Sequence, residues 1–416
     1  MRKWLSLFLI ILLAFPLWGW GRKMPRLTLL VWGGYWELKP LREWIRDFEK
    51  ESGVKVYMIE VSGGRIYERK LVTMLGAGTP PDVALVNLPT FHSLLKRGVL
   101  GDLSSYIQKE NFDLSVFYPQ ILKVFQRGEK IYALPYVWNV FVLFYNKSMF
   151  DKVGIPYPDK TWDWKKLEEV AKKFTRDLNG DGKPDQFGVY YDPSWQIFLW
   201  QNGGKVLDEE KNIFLLNKPP YREKNLEALK FTFRISKNYS PRGAVSALQD
   251  VSSADLFATG KLAMIVNGTW GAARYKYLMK NQGWGMSVLP HGKERATELR
   301  VTGWVTFKNS SHPQKSWELI KYLSSEKVNK EVISIGRGLP PRREIAEKEL
   351  FQDPLFKNFP LKDILEEIKF SHVGILDSHL LFLYQQEMEK VDNGLESIEE
   401  AMRNLEREAS KILGSK

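Results

Sequence analysis

The sequence predicts an α/β protein with two domains, and two observations support this prediction. The chain has 416 residues, which is more than one compact core usually accommodates. Within residues 27–86, apolar runs typical of buried strands alternate with amphipathic segments typical of helices. Strand, helix, strand, helix and strand within about 60 residues is the pattern of a parallel α/β unit.

The parallel unit places two loops where ligands usually bind. Ligands of parallel sheets lie beyond the carboxyl ends of the strands. We therefore expect the loops Trp32–Tyr35 and Asn87–Thr90 to share one rim. The predicted elements are strand Leu27–Trp32, helix Pro40–Glu51, strand Val54–Val61, helix Ile66–Leu75 and strand Asp82–Val86.

Later segments continue the α/β pattern, and none repeats another. The apolar run VFVLFY is long enough to pass between two domains. Strands are predicted at Ile131–Leu134, Val140–Tyr145, Leu262–Val266 and Val301–Phe307. Helices are predicted at His92–Arg97, Leu103–Ile107, Trp164–Thr175, Glu223–Asn238, Ala254–Thr259, His312–Ser324, Glu326–Ile335 and Leu395–Leu413.

The N-terminus has the pattern of a secretory signal. MRKW is positively charged, and Leu5 to Leu17 is a mostly apolar run of 13 residues, shorter than the roughly 20 that span a bilayer as a helix. We expect residues 1–22 to be a signal peptide and the protein to be periplasmic or extracytoplasmic. WGWG is a poor cleavage site, so a cleaved signal and an uncleaved anchor both stay open.

Cysteine content and charge exclude several classes of protein. The sequence has no cysteine, which excludes disulfides, thiolate metal sites and a lipid-modified cysteine. The formal net charge is +12, but lysine and arginine are scattered among acidic residues rather than clustered. A solvated basic surface therefore explains the charge better than a nucleic-acid site does.

Residues 177–188 read DLNGDGKPDQFG, which resembles the front of a calcium loop. Gly188 stands where an EF-hand has its closing glutamate, and Ca²⁺ takes roughly six to eight oxygens. Water or a remote carboxylate would have to complete the shell. The loop has no partner hand and no closing glutamate to pull a helix, so the ion would be structural. An Asx turn without metal is the alternative, and no organic cofactor is expected. The candidate ligands are Asp177, Asn179, Asp181, Asp185 and the carbonyl of Lys183.

Four groups of motifs occur in an order that resembles one known family. They are TPPDVALV with RGVLGDLSSYI, IYALPYVWNVFVLFYNKSMFDKVGIPYP with TWDWKKLEEVAKKF, LFATGKLAMIVNGTWG, and GRGLPPRRE. Together they resemble the extracellular sugar-binding proteins of bacterial and archaeal ABC importers, solute-binding family 1, of the maltose-binding-protein type. The resemblance covers almost the whole chain that follows the predicted signal.

The resemblance implies a two-lobed periplasmic-binding-protein fold of the type II kind. Each lobe would be a central sheet flanked by helices, with hinge strands between the lobes and a solute in the cleft. We expect residues 25–138 and 305–335 to form the N-terminal lobe. Residues 139–304 and 336–416 would form the C-terminal lobe.

The resemblance also implies particular ligand contacts. Trp270 in NGTWG matches the tryptophan on which the sugar ring stacks, and an aromatic face suits the C–H face of a pyranose. Asn139 stands where maltodextrin-binding members carry a carboxylate, and Asn87 begins a loop that supplies contacts there. Maltodextrin is not favoured as the ligand. Val86, Pro89 and Thr90 replace the Trp, Asp and Arg of the loop in those members, and Asn139 replaces the carboxylate.

Further candidates are side chains expected on loops that face the same cleft. Arg337, beside GLPPR, is expected on the rim of the second lobe. Each aromatic candidate can instead be a packing residue, the two asparagines can be turn or hinge residues, and Arg337 can simply pair with a carboxylate. The aromatic candidates are Trp32, Tyr35, Trp36, Tyr136, Trp138, Trp195 and Trp304.

Two functions are compatible with these features. The first is a monomeric, non-catalytic receptor that captures a sugar, oligosaccharide or cyclitol and delivers it to ABC permease transmembrane subunits by hinge closure. Nucleic acid is not an expected partner. The second is a secreted carbohydrate-active enzyme with a carboxylate pair. The rim motifs YVWN, NGTWG and TGW contain no acidic residue, which favours the receptor.

Overall fold

The computed structural model describes residues 26–191, 195–208, 213–241, 252–279, 283–354, 356–357, 359–374 and 378–414. The predicted signal peptide, residues 1–22, lies outside these ranges. Within them, no helix has both the length and the apolar character that crossing a bilayer requires.

The elements alternate along the chain as the sequence predicts for its first part. The strands are β1 (Arg26–Trp32), β2 (Lys55–Val61), β3 (Val83–Asn87), β4 (Gln126–Arg127), β5 (Lys130–Ile131), β6 (Ala133–Asn146), β7 (Phe187–Tyr191), β8 (Leu207–Asp208), β9 (Ile213–Phe214), β10 (Leu262–Gly268), β11 (Trp284–Ser287), β12 (Thr297–Thr306) and β13 (Ser371–His372).

The helices flank these strands, with short 3-10 turns at Leu350–Gln352 and Glu367–Phe370. They are α1 (Tyr35–Ser52), α2 (Gly64–Gly76), α3 (Leu88–Lys96), α4 (Ser104–Lys109), α5 (Pro119–Lys123), α6 (Lys147–Val153), α7 (Trp164–Phe174), α8 (Gln196–Gln201), α9 (Arg222–Tyr239), α10 (Ser253–Ala258), α11 (Gly271–Met279), α12 (Pro313–Leu323), α13 (Glu326–Ile335), α14 (Arg343–Lys348), α15 (Leu361–Glu366), α16 (Ser378–Asp392) and α17 (Ile398–Gly414).

The first sheet contains β2, β1, β3, β12 and β6 in that order. β1 pairs in parallel with both β2 and β3, and β12 runs antiparallel to β3 and β6. Because β1 and β3 are parallel neighbours, their last residues, Trp32 and Asn87, lie at the same edge of the sheet. This edge is one rim of the site described below.

The second sheet is built onto the continuation of β6. β10 and β11 each pair antiparallel with the second half of β6, and β7 pairs in parallel with β10. Strands predicted separately at Ile131–Leu134 and Val140–Tyr145 largely form the single strand β6, all 14 residues of which are buried. β6 belongs to both sheets, and β12 pairs with its first half, from Ala133 to Val140. The predicted lobe boundaries at residues 138/139 and 304/305 therefore fall within strands and stay predictions.

The buried apolar side chains form three clusters that differ in the strand face they cover. The first-sheet cluster lies beneath α1, α12 and α13 and includes Val137 and Trp304. The second-sheet cluster lies beneath α7, α9 and α17 and includes Phe141. The continuous cluster covers the opposite face of both sheets, from Leu30 to Trp284. Burial of apolar area on this scale is the main stabilising term of such a fold.

Gly188 allows β7 to pack closely on α7, and its substitution tests that packing. A Cβ at residue 188 would lie 2.1 Å from the carbonyl oxygen of Ala171, a backbone atom that cannot rotate away. We expect Gly188→Ala to lower the free energy of unfolding by about 1–3 kcal/mol or more, measured by thermal unfolding followed by circular dichroism.

Gly76→Ala is the matched control, because Gly76 ends α2 and a Cβ there meets nothing within 4 Å. Alanine is favoured over glycine in a helix by about 0.5–1 kcal/mol, so this variant should keep or slightly raise the melting temperature. Equal melting temperatures for Gly188→Ala and wild type would contradict the close approach.

Candidate ligand-binding site

On one face of the shared strand β6, the apolar core is interrupted. Val137 belongs to the first-sheet cluster and Phe141 to the second-sheet cluster, and Asn139 stands between them. Alternate residues of a strand point to the same face, so these three side chains share a face. On the other face, Trp138 and Val140 both belong to the continuous cluster. This interruption of the apolar core at Asn139, between Val137 and Phe141, is named the polar gap.

Asn139 connects the two sides of the polar gap. Its Oδ1 accepts a hydrogen bond of 2.7 Å from the Thr269 hydroxyl, which follows β10 of the second sheet. Its Nδ2 donates to the Arg337 carbonyl oxygen at 3.5 Å, on the segment that pairs with β6 at Trp138 and Leu339. The side chain is only 6% exposed, so these contacts hold it in place. Its role as a ligand contact stays a prediction.

Arg337 lies at the rim of the first sheet. Its Nη2 donates to the Trp32 carbonyl oxygen at 2.9 Å, and its Nε lies 3.6 Å from Glu37 Oε1. The guanidinium carbon is 5.4 Å from the centre of the Trp32 ring. The expectation that Arg337 stands on the rim of the second lobe is therefore wrong, because its contacts are with β1 and the start of α1.

Trp270 stands on the opposite side of the polar gap, and its neighbours explain its position. The Thr269 amide donates to the Val140 carbonyl oxygen at 3.0 Å, which attaches the NGTWG turn to β6. A Cβ at Gly268 would lie 2.1 Å from the Trp270 ring, so only glycine leaves room for the indole. The ring is half-buried and meets Phe141 edge-on, with 5.3 Å between the ring centres.

Trp195 forms an aromatic pair just before α8. Its ring stacks on Tyr384 with 3.3 Å between the ring centres and 8° between the planes. Trp195 is 6% exposed, and its indole N–H is buried without a hydrogen-bond partner among the described residues. A buried donor of this kind is costly unless something else bonds it.

The remaining candidates on the first-sheet rim differ in exposure. Asn87 Oδ1 accepts from the Thr90 amide at 2.9 Å and thereby caps α3, as the turn interpretation expected. Trp32 packs edge-on against Tyr67, with 4.8 Å between the ring centres. Tyr35, in the first turn of α1, is 75% exposed beneath the Arg42 guanidinium. The side chain of Trp36 lies outside the described part of the structure.

Three predicted loop residues are in fact core residues of strands. Trp138 and Trp304 are 0% exposed, and the Trp138 indole donates to the Pro340 carbonyl oxygen at 3.0 Å. Tyr136 is 2% exposed against Trp304, and burial raises the pKa of its hydroxyl to about 12. The expectation that these side chains stand on loops facing the cleft is wrong, because β6 and β12 are covered on both faces at these positions.

The calcium-like loop uses its oxygens to accept backbone hydrogen bonds. Asp177 accepts from the amides of Gly182 and Gly180 at 2.8 and 2.7 Å, and these bonds hold the pKa of its carboxyl below the ordinary value. Asp185 Oδ2 accepts hydrogen bonds from the amides of Leu178 at 2.9 Å and Asn179 at 3.2 Å. The Lys183 amide donates to Asp181 Oδ1 at 2.8 Å. In the described ranges, no three acidic, histidine or cysteine side chains converge as metal ligands do.

Three residues of the polar gap were missed at the sequence level. Arg300 lies directly opposite Asn139 in the pairing of β12 with β6, so both side chains share a face. Glu298 and Thr302 flank Arg300 at alternate positions and share that face. The strand was predicted to begin at Val301, whereas β12 begins at Thr297. The signal that could have found them is a period of two in TELRVT.

The family described as "bacterial extracellular solute-binding protein" matches residues 36–330. The chain belongs to this family. The matched range contains the first sheet except β1, all strands of the second sheet, and the residues of the polar gap other than Arg337. The predicted family is thereby confirmed.

Relatives in sequence are binding proteins of several bacteria. The chain is 24% identical over 320 residues to a putative binding protein of Brucella abortus, covering 74% of this chain and 73% of that protein. It is 25% identical over 357 residues to the galactooligosaccharide-binding protein of Bacillus subtilis, covering 82% and 78%. It is 28% identical over 292 residues to the maltodextrin-binding protein of Bacillus subtilis, covering 67% and 64%.

Solved structures of solute-binding proteins superpose on almost the whole chain. An ABC substrate-binding protein of Listeria monocytogenes in complex with cycloalternan has a TM-score of 0.83 and 26% identity, covering 94% of this chain and 99% of that one. A solute-binding protein of Thermotoga lettingae bound with α-D-tagatose has a TM-score of 0.79 and 25% identity, covering 94% and 100%. The predicted two-lobed α/β fold is confirmed.

Core and rim tryptophans should respond differently to replacement by phenylalanine. Trp138→Phe removes the donor to Pro340 and leaves a void in the continuous cluster. We expect it to lower the free energy of unfolding by about 1–3 kcal/mol. Trp270→Phe keeps an aromatic ring on a half-buried site and should cost at most about 1 kcal/mol. Thermal unfolding without added ligand measures both, and the reverse ranking would contradict the placement.

Proposed function

We propose that the protein is an extracytoplasmic receptor that captures a sugar, oligosaccharide or cyclitol in the polar gap. The lobes close over the ligand and the closed form is recognised by the transmembrane subunits of an ABC permease. The protein acts as a monomer after export directed by residues 1–22. The observation that carries the proposal is the interruption of the apolar core at Asn139, with aromatic side chains on both sides of it.

Closure requires that the ligand bind the closed state better than the open one. A ligand that contacts one lobe alone has no such preference. Trp32 and Asn87 stand at the edge of the first sheet, whereas Trp195 belongs to the second-sheet cluster and Trp270 packs against it. A ligand that contacts both groups therefore favours closure.

Carbohydrate is the ligand class that these side chains fit. A half-buried indole beside amide and guanidinium groups matches a ring with apolar C–H faces and a hydroxylated rim. The comparisons also favour carbohydrate. Two relatives are named as galactooligosaccharide- and maltodextrin-binding proteins, and two similar structures hold cycloalternan and tagatose. The departures at Val86, Pro89, Thr90 and Asn139 argue against transferring maltodextrin itself.

Binding without turnover is the proposed activity. A glycoside hydrolase needs one carboxyl group that stays protonated to act as the acid. The two glutamates described at the polar gap are each ion-paired with an arginine, Glu37 with Arg337 and Glu298 with Arg300. Each of these carboxylates is already engaged by a guanidinium, so neither is available as a member of a catalytic carboxylate pair.

A sugar panel tests the receptor proposal. We expect at least one of maltose, maltotriose, galactobiose, arabinobiose, tagatose and myo-inositol to change the tryptophan fluorescence, raise the melting temperature and be recovered intact on chromatography. Trp270→Ala should weaken binding of that compound by about 2–4 kcal/mol, because it removes a large stacked anchor.

Tyr57→Ala is the matched control, since Tyr57 is 49% exposed on the edge strand β2. It should bind as wild type does. Cleavage products on the chromatogram would support the enzyme alternative, and binding by Trp270→Ala equal to wild type would remove Trp270 from the site.

We propose separately that residues 177–185 bind Ca²⁺ as a structural ion. Support comes from the alternating oxygens of Asp177, Asn179 and Asp181, which Asp185 follows. An ion that binds only the folded state stabilises it by mass action. A protein without disulfides gains from such a contribution.

Chelation tests the calcium proposal. EDTA should lower the melting temperature of wild type, and added Ca²⁺ should restore it, whereas Asp181→Ala should respond to neither. Asp159→Ala is the matched control, because Asp159 is an exposed aspartate that caps a turn at Thr161, outside the loop. It should respond as wild type does. A wild-type melting temperature indifferent to EDTA would contradict calcium binding.

A further inference from the structure

Two polar atoms on the gap-facing side of β12 are buried without a partner. Arg300 Nε and Thr302 Oγ1 have no hydrogen bond within the described residues. Leaving such groups unbonded destabilises the folded state, and native structures usually satisfy them. Both side chains point to the face of β12 on which the apolar core is interrupted. A ligand in the polar gap would supply the missing partners.

Arg300 is held in position by a buried glutamate. Its Nη2 lies 2.6 Å from Glu298 Oε1, and the two side chains are 39% and 3% exposed. The Glu298 carboxylate also lies close to Gly374, where a Cβ would be only 2.5 Å from Oε1. The ion pair therefore holds the Arg300 guanidinium in one orientation. Less conformational entropy is then lost when its remaining N–H groups bind a ligand.

The charges of the polar gap are compensated in pairs. Glu298 neutralises Arg300, and Glu37 neutralises Arg337 at the rim of the first sheet. An anionic ligand that approached either guanidinium would also approach a carboxylate, and this repulsion opposes its binding. A neutral ligand with hydroxyl oxygens meets no such repulsion and can accept from the free N–H.

We propose that Arg300 and Thr302 are ligand contacts that select a neutral, hydroxylated sugar over an anionic one. Arg300 Nε–H donates to a hydroxyl oxygen of the ligand, Thr302 Oγ1 exchanges a hydrogen bond with a neighbouring hydroxyl, and Glu298 positions Arg300. The inference rests on the proposed receptor function and names residues and a ligand class for the same site.

Substitutions measured by calorimetry test the proposal, with the tightest neutral binder of the panel and with glucuronate and galacturonate as anionic probes. Arg300→Met keeps the length of the side chain and removes the donors. We expect it to weaken binding of the neutral sugar about ten- to hundredfold. Thr302→Val is isosteric and should lower the affinity for the neutral sugar about two- to tenfold. Glu298→Gln leaves Arg300 uncompensated and should raise the affinity for uronate relative to the neutral sugar about tenfold.

Arg234→Met is the matched control, because Arg234 forms an ion pair with Glu168 on α7, at 2.8 Å, outside the polar gap. It should bind as wild type does. Arg300→Lys keeps the charge but lacks Nε, so it should show the same loss if Arg300→Met does not fold.

The outcomes separate this inference from the receptor proposal. If wild type binds a panel sugar and the Arg300 and Thr302 variants bind equally well, this inference alone is overturned. Tighter binding of a uronate than of every neutral sugar by wild type would overturn the selectivity. A wild-type protein that binds none of the panel would overturn the receptor proposal and this inference together.

Discussion

Strands β6 and β12 pair antiparallel from Val140 and Leu299 to Ala133 and Val305, and both sheets are built onto this pair. Because β6 belongs to both sheets, the side chains of its first half pack into one core and those of its second half into another. The continuous cluster covers one face with unbroken apolar side chains. On the other face, two separate clusters leave a stretch that neither covers, and polar side chains occupy it.

The polar gap remains stable because its charged groups are paired. A buried ion without a partner costs several kcal/mol, and here Arg300 and Arg337 each have a glutamate. Asn139 lies on the shared strand and bonds residues on both sides, Thr269 and Arg337. This position on the strand that both sheets share suits the base of the proposed hinge. In the proposed closure, aromatic side chains farther from the strand, such as Trp270, approach the ligand.

The sequence predicted the parallel unit because its strands and helices have clear and different periods. The core tryptophans were misplaced because β6 is buried on both faces, and such a strand has no polar alternation to show which way Trp138 points. β12 was predicted to begin four residues too late, at Val301 instead of Thr297, since Glu298 and Arg300 are charged and strands are expected to be apolar. Those charges are tolerated only because the gap-facing side of the strand lacks a core, a fact of tertiary structure.

Stacking and hydrogen bonding make different contributions to recognition at this site. The C–H face of a sugar ring is common to many pyranoses, so in the proposed function stacking on Trp270 supplies affinity with little discrimination. Discrimination requires donors and acceptors whose pattern fits one arrangement of hydroxyls and leaves others unpaired. In this chain the candidates for that pattern lie on the paired strands, at Asn139, Arg300 and Thr302. Family members that share the NGTWG turn can therefore bind different sugars when the residues at these three positions differ.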